Sequence, residues 1–232
     1  MNQCLLLVFI LTVIMNIDKE NIMKAQRLKM VNDHLIARGI KDRRVLEIMG
    51  NIQREKFIPS KYIFDSYGDH PVPIGHNQTI SQPYIVALMS ELCEFSGDEK
   101  VLEIGSGSGY QAAILSALSN RVFSIERIKP LAENAKNILK ELGCDNVTVI
   151  HDDGYNGFIE EAPFDIIMLT AAPETIPVAL IDQLADGGRL IAPVGNRTQQ
   201  LIRLKKVSGE IISETITYVT FVPMIKGCSI ND

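Results

Sequence analysis

Residues 101–109, Val-Leu-Glu-Ile-Gly-Ser-Gly-Ser-Gly, run an apolar strand straight into three glycines at alternating positions. Glycines at 105, 107 and 109 permit the tight strand-to-helix turn of a Rossmann-type α/β unit, with the backbone close to a ligand. The spacing is G-x-G-x-G, which differs from the dinucleotide pattern G-x-G-x-x-G. Glu103, two residues before the first glycine, sets the chemistry. A carboxylate at the tip of that strand repels a pyrophosphate but suits the ammonium and sulfonium of S-adenosylmethionine. Taken alone, the loop also reads as a turn that binds nothing.

Two further strand tips carry acids. Residues 121–125 form a second short apolar strand that ends on Glu126, about twenty residues past the glycines, where nucleotide-type folds hold ribose hydroxyls. Residues 147–150 form a third, followed by His151-Asp152-Asp153-Gly154. An acid there can accept a hydrogen bond from an adenine amino group, and Gly154 leaves room for the ring. Each has a plain alternative, Glu126 as a solvated loop residue and Asp-Asp-Gly as an ordinary turn. Three acids along the carboxyl edge of one sheet define a nucleoside-methionine site, with Arg127 among its expected cofactor contacts.

The regular part of the chain reads as strand 100–104, helix 109–118, strand 121–125, helix 130–142, strand 147–150, strand 164–169, helix 175–185 and strand 188–192. Strands separated by helices imply parallel pairing through right-handed crossovers. Segments 199–207 and 211–222, joined by Ser208-Gly209, read as an antiparallel pair. The expected fold is α/β: a doubly wound Rossmann-like sheet of methyltransferase type, mostly parallel with an antiparallel C-terminal strand, plus an N-terminal helical extension. That extension spans about 21–57. Apolar stripes at Val31, Leu35, Ile36 and at Val45, Ile48, Met49, Ile52 flank Gly39 as a stop. Prolines 59, 71 and 73 mark an irregular stretch to about Gln82. Pro83 then opens a helix to about Phe95, with Ser81 or Gln82 as its cap. The organisation expected is an apolar segment 1–22 and one domain over 23–232. Within it, 23–82 give helices and a substrate loop, and 83–232 the cofactor-binding core.

Size and charge narrow the function classes. A chain of 232 residues with 46% apolar content can bury one sizeable core. The net charge of −5 and the lack of any Lys/Arg-rich block argue against nucleic acid as a partner. Cysteines 4, 93, 144 and 228 lie far apart, with no metal-ligand spacing and no disulfide framework, so no metal is expected and a reducing, cytoplasmic compartment fits. Residues 4–15 are apolar, yet twelve residues fall short of the roughly twenty that span a bilayer. They read as an export signal, a short membrane-associated segment, or a translation start set too early, the last being preferred.

Asp69 to Pro83 form a Pro-bounded loop rich in polar and hydroxylated residues, a pattern that suits binding. Pro73-Ile74-Gly75 followed by Gln78-Thr79-Ile80-Ser81-Gln82-Pro83 resembles the signature that precedes the cofactor core in protein-L-isoaspartate O-methyltransferases. The resemblance extends over about 25–225. It takes in Arg54-Glu55-Lys56-Phe57-Ile58-Pro59, the loop Leu102 to Tyr110, Ala162-Pro163-Phe164-Asp165, Thr170-Ala171-Ala172, Gly187-Gly188-Arg189-Leu190 and Pro193-Val194-Gly195. One departure is Asp152, where that family commonly has glycine before Asp-Gly.

The resemblance implies methyl transfer from S-adenosylmethionine to the side carboxyl of isoaspartyl residues in damaged proteins, leaving S-adenosylhomocysteine. It places the catalytic serine on Ser81 and cofactor contacts on Thr79, Ile80, Ser81, Gly105, Ser106, Gly107, Glu126, Asp153 and Gly154. Glu103 and Arg127 join them. Substrate contacts are expected at Gln78, Thr79, Pro193, Val194 and Val222. Phe221 to Met224 read either as a partner for an extended peptide backbone or as plain strand and core. A carboxylate is already ionised at neutral pH, so the chemistry asks for positioning, and a neutral hydroxyl at Ser81 suits that task. Ser81 as a helix cap is compatible with it. A monomer is expected. Rival readings are a methyltransferase for RNA or small molecules, a nicotinamide oxidoreductase, and a non-catalytic binding module. Leu169-Thr170-Ala171-Ala172, in place of an Asn-Pro-Pro-Tyr-type motif, opposes the first, and Glu103 opposes the second.

Overall fold

The structure, a computed structural model, describes residues 19–229. The apolar stretch 4–15, with its three readings, lies outside the described residues. Helix α1 covers residues 19–29, widens into a π turn at Met30–Leu35 and tightens in a 3-10 turn at Ile36–Arg38 before Gly39. Helix α2 (Arg43–Asn51) starts at Asp42, whose carboxylate accepts from the Arg44 and Val45 N–H groups. The expected helical run to 57 therefore ends at Asn51, and 54–57 form only a 3-10 turn. The stretch read as irregular contains a hairpin, β1 (Val72–Gly75) with β2 (Gln78–Ile80).

From there the alternation is regular: α3 (Pro83–Leu92), β3 (Lys100–Ile104), α4 (Tyr110–Leu118), β4 (Arg121–Glu126), α5 (Lys129–Glu141), β5 (Val147–His151) and β6 (Phe164–Leu169). After these come α6 (Val178–Asp182), β7 (Leu184–Val194), β8 (Gln199–Val207) and β9 (Glu210–Val219). Seven strands form one sheet in the order β5-β4-β3-β6-β7-β8-β9. The first five of these are parallel, and β8 and β9 are added antiparallel to their neighbours. The helix expected over 175–185 is one short turn. Leu184 already pairs with Phe164, so β7 begins four residues earlier than its apolar pattern suggested.

Alternation along the central strands sends side chains to two cores. Val101, Val122, Ile166 and Ile191 pack with helices α1 to α4 on one face. Leu102, Phe123, Ile167 and Leu190 pack with Leu180 of α6 on the other. Both faces are covered, which is why these strands read as continuous apolar runs. The chain order reverses at β3, with β4 on one side and β6 on the other. Such a switch point opens a crevice at the carboxyl ends of the strands.

Candidate active site

A cleft of about 940 Å³, including its open mouth, lies at that switch point. Its floor is the loop after β3. Gly105 takes φ +102°, a conformation L side chains rarely adopt, and its N–H donates to the Ile125 carbonyl at 2.7 Å. A Cβ on Gly105 would overlap the Thr170 hydroxyl, which lies 2.5 Å from the Gly105 carbonyl and 3.0 Å from that of Ile104. The loop after β6 thus fastens the loop after β3.

Glu126, at the tip of β4, accepts from the Gly107 N–H at 2.8 Å and the Ile128 N–H at 2.9 Å. These two bonds lock the glycine loop to the β4 tip. Burial pushes the Glu126 carboxyl above its ordinary range. Gly154 forms the wall where a ring would lie, and a Cβ there would overlap the Ile104 side chain. Gly105, Ser106, Gly107, Glu126, Arg127 and Gly154 all line the cleft as the sequence led us to expect.

Two expected contacts stand elsewhere. Glu103 is 0% exposed and does not line the cleft. Period-two alternation puts it on the same sheet face as Val101, opposite Ser124 in the β3–β4 register. Ser124 donates to its Oε2 and also touches the Ser106 hydroxyl at 2.5 Å, while Oε1 is buried with no partner. Glu103 therefore acts on the loop from beneath, through two serines. Desolvation raises its pKa to about 8. Asp153 is the second correction. One of its oxygens accepts from Tyr155 N–H at 3.0 Å and the other from Gly227 N–H at 2.8 Å, so its carboxylate anchors the C-terminal segment.

That segment, 220–229, crosses the strand tips as a strap. Val222 carbonyl and Met224 N–H pair with Ala172 at 2.9 and 2.8 Å. Tyr155 donates to Met224 carbonyl, Arg127 donates to Gly227 carbonyl, and Ser229 N–H donates to Arg127 carbonyl. Phe221, Val222 and Met224 line the cleft from above. The backbone edge that Val222 and Met224 turn toward Ala172 is thus already paired. Pro193 and Val194 end β7 outside the cleft wall, where Gly195 N–H donates to Pro173 carbonyl.

The remaining wall comes from the hairpin. His76 and Asn77 take φ +50° and +54°, the pair of positive values that a two-residue type I′ turn demands. The turn delivers Gln78, Thr79, Ile80 and Ser81 to the cleft, with Ile80 buried as the anchor. Ser81 is not the cap of α3. Gln82 holds that position, no side chain caps the helix, and the Ser81 hydroxyl makes no hydrogen bond among the described residues. Sequence reasoning missed Thr170, Tyr110 and Gln111 on the wall. Tyr110 and Thr170 stood only within segments that carry the resemblance, and Gln111 follows Tyr110 in the first turn of α4.

The donor set fits S-adenosylmethionine. The Glu126 carboxyl stands at the β4 tip on the cleft wall, and Gly154 leaves the space a side chain would fill. No group of three or more metal-ligating side chains occurs among the described residues.

Comparison with known proteins agrees. The family model described as protein-L-isoaspartate(D-aspartate) O-methyltransferase matches residues 25–229. The protein-L-isoaspartate O-methyltransferase of Geobacter metallireducens is 51% identical over 201 residues, covering 86% of this chain and 93% of its own. That of Synechococcus sp. is 47% identical over 216 residues, covering 90% and 88%. A Plasmodium falciparum structure described as the same enzyme in complex with S-adenosyl-L-homocysteine has TM-score 0.75 at 31% identity, covering 86% of this chain and 98% of its own. With half its positions shared along nearly the whole length of such relatives, the chain belongs to the protein-L-isoaspartate O-methyltransferase family.

Proposed function

We propose that this chain transfers a methyl group from S-adenosylmethionine to the side carboxyl of isoaspartyl residues in damaged proteins and peptides. The observation that carries the reading is the placement of Ser81. Its uncommitted hydroxyl sits on the cleft wall with the glycine loop on the floor. Bound S-adenosylmethionine supplies an electrophilic methyl on a positively charged sulfur.

Gly105, Ser106 and Gly107 hold the methionyl end, with Glu103 bracing them through Ser124 and Ser106. Glu126 and Arg127 hold the ribose side, and Gly154 gives space for the adenine. Gln78 and Thr79 border the acceptor. The acceptor carboxylate forms the new O–C bond with its own lone pair, the C–S pair returns to sulfur, and no proton moves. No base is required of the protein. Ser81 donates one neutral hydrogen bond, which orients the carboxylate without the deep stabilisation that would weaken it as a nucleophile. The strap excludes water from the far side. The reading includes a monomer in a reducing, cytoplasmic setting, without nucleic acid. No described helix is long and apolar enough to cross a membrane.

The test pairs an isoaspartyl peptide with its aspartyl twin and labelled S-adenosylmethionine. The reading expects a base-labile methyl ester on the first alone. Equal labelling of both, or of neither, overturns it.

A further inference from the structure

Behind Ser81 lies a cluster of three arginines and two carboxylates. Arg27 pairs with Glu55 at 3.6 Å and Arg38 with Asp69 at 2.6 Å. Arg54, the third, is 0% exposed and forms no ion pair among the described residues. Its Nε donates to Ser66 carbonyl and its Nη2 to Ser81 carbonyl, both at 2.8 Å. Its guanidinium carbon stands 4.7 Å from the centre of the Tyr110 ring, itself part of the cleft wall and backed edge-on by Phe57. Nη1 is buried with no partner. A guanidinium remains charged in proteins, and burying it against neutral acceptors alone is costly.

We propose that Arg54 is a positioning residue for the acceptor: it fixes Ser81 through its carbonyl, and its charge, which no carboxylate among the described residues contacts directly, makes this side of the cleft select a carboxylate. The inference rests on the acceptor side assigned above. It complements the donor side, where the Glu126 carboxyl stands at the β4 tip. The consequence for kinetics is asymmetric. Negative charge leaves the acceptor oxygen as the ester forms, so a positive field stabilises the free carboxylate more than the transition state. Arg54 therefore acts on acceptor affinity, and its distance from the anion, behind the Ser81 carbonyl, keeps that effect moderate.

The test measures binding, with S-adenosylhomocysteine present, of an isoaspartyl peptide and of its neutral isoasparaginyl twin, which needs no turnover. Wild type is expected to prefer the charged peptide by about tenfold, the scale of one charge pair roughly 12 Å apart at an effective dielectric near 20. In Arg54→Gln the preference falls toward unity and the acceptor KM rises to match, with kcat within about threefold. Arg54→Lys restores the preference. A purely structural role predicts equal weakening of both peptides, or a lower melting temperature with the preference intact, and either result overturns the proposal. Should Arg54→Gln not fold, wild type alone decides. A buried charge gives a preference that survives 0.5 M salt, whereas a preference that vanishes there belongs to surface charge. Methylation of the isoaspartyl peptide by wild type is scored separately, so loss of the Arg54 effect and loss of the enzymatic reading are told apart.

Discussion

Gly105→Ala probes the joint on which the cleft is built. Two costs fall on this one methyl group. At φ +102° a non-glycine residue is strained by about 1–2 kcal/mol. The added Cβ also overlaps Thr170 Oγ1, and forcing a methyl into packed space costs about 1–3 kcal/mol. The hydroxyl cannot swing aside freely, because it is held between the Ile104 and Gly105 carbonyls on a β-branched side chain. The sum is about 2–5 kcal/mol, or a fall in melting temperature of about 5–20 °C for a chain of this size. Thr170→Ala alone loses one hydrogen bond, about 1 kcal/mol. In the double variant the overlap disappears, since the next Thr170 atom, Cβ, is 3.7 Å away. Urea unfolding of all four proteins should therefore show the double variant less destabilised than the sum of the singles, by about 1–3 kcal/mol. Additivity within about 0.5 kcal/mol would refute the claim that Thr170 and Gly105 are one joint.

Further outcomes follow from the same geometry. Ser81→Ala should lower kcat/KM for an isoaspartyl peptide by about 10- to 100-fold, the worth of one hydrogen bond to an anion, with S-adenosylhomocysteine affinity unchanged. Unaltered kcat/KM would remove Ser81 from the acceptor site. Glu103 has a folded pKa of about 8, above its unfolded value near 4.5. Its proton-bound form is favoured by folding, so stability is full below pH 4.5 and is lost as pH rises toward 8. The stability of Glu103→Gln relative to wild type should then climb between pH 5 and 8, by on the order of 1 kcal/mol per unit, and level off above. A flat difference across that range contradicts the buried placement. Asp153→Asn should loosen the strap at Gly227 and weaken S-adenosylhomocysteine binding about threefold to tenfold by calorimetry. An unchanged affinity would detach the strap from cofactor retention.

The parallel core was legible because each strand is an unbroken apolar run ending at an acid or glycine, a local signal. Glu126 and Gly105 to Gly107 were legible for the same reason. Glu103 was misread because proximity in sequence to the glycines does not fix which way a strand residue points. Alternation with Val101 and the facing Ser124 turned it inward. Asp153 was misread because its partner, Gly227, lies 74 residues away, and Arg127 reaches Gly227 across 100. No local pattern announces a strap of that kind. The helix over 175–185 shrank to one turn because pairing of Leu184 with Phe164 outweighs helical spacing in a segment bounded by Pro177 and Gly187. The hairpin hid among prolines, its turn resting on His76-Asn77 without the usual glycine.

The central claim is that one cleft holds the methyl donor on the glycine loop and presents the acceptor carboxyl at Ser81. A crystal structure with S-adenosylhomocysteine and an isoaspartyl peptide measures this directly. The account predicts the nucleoside between Glu126 and Gly154, with the sulfur and the peptide's side carboxyl meeting at the Ser81 hydroxyl under the strap. A peptide seated away from Ser81, or a nucleoside away from Glu126 and Gly154, contradicts it.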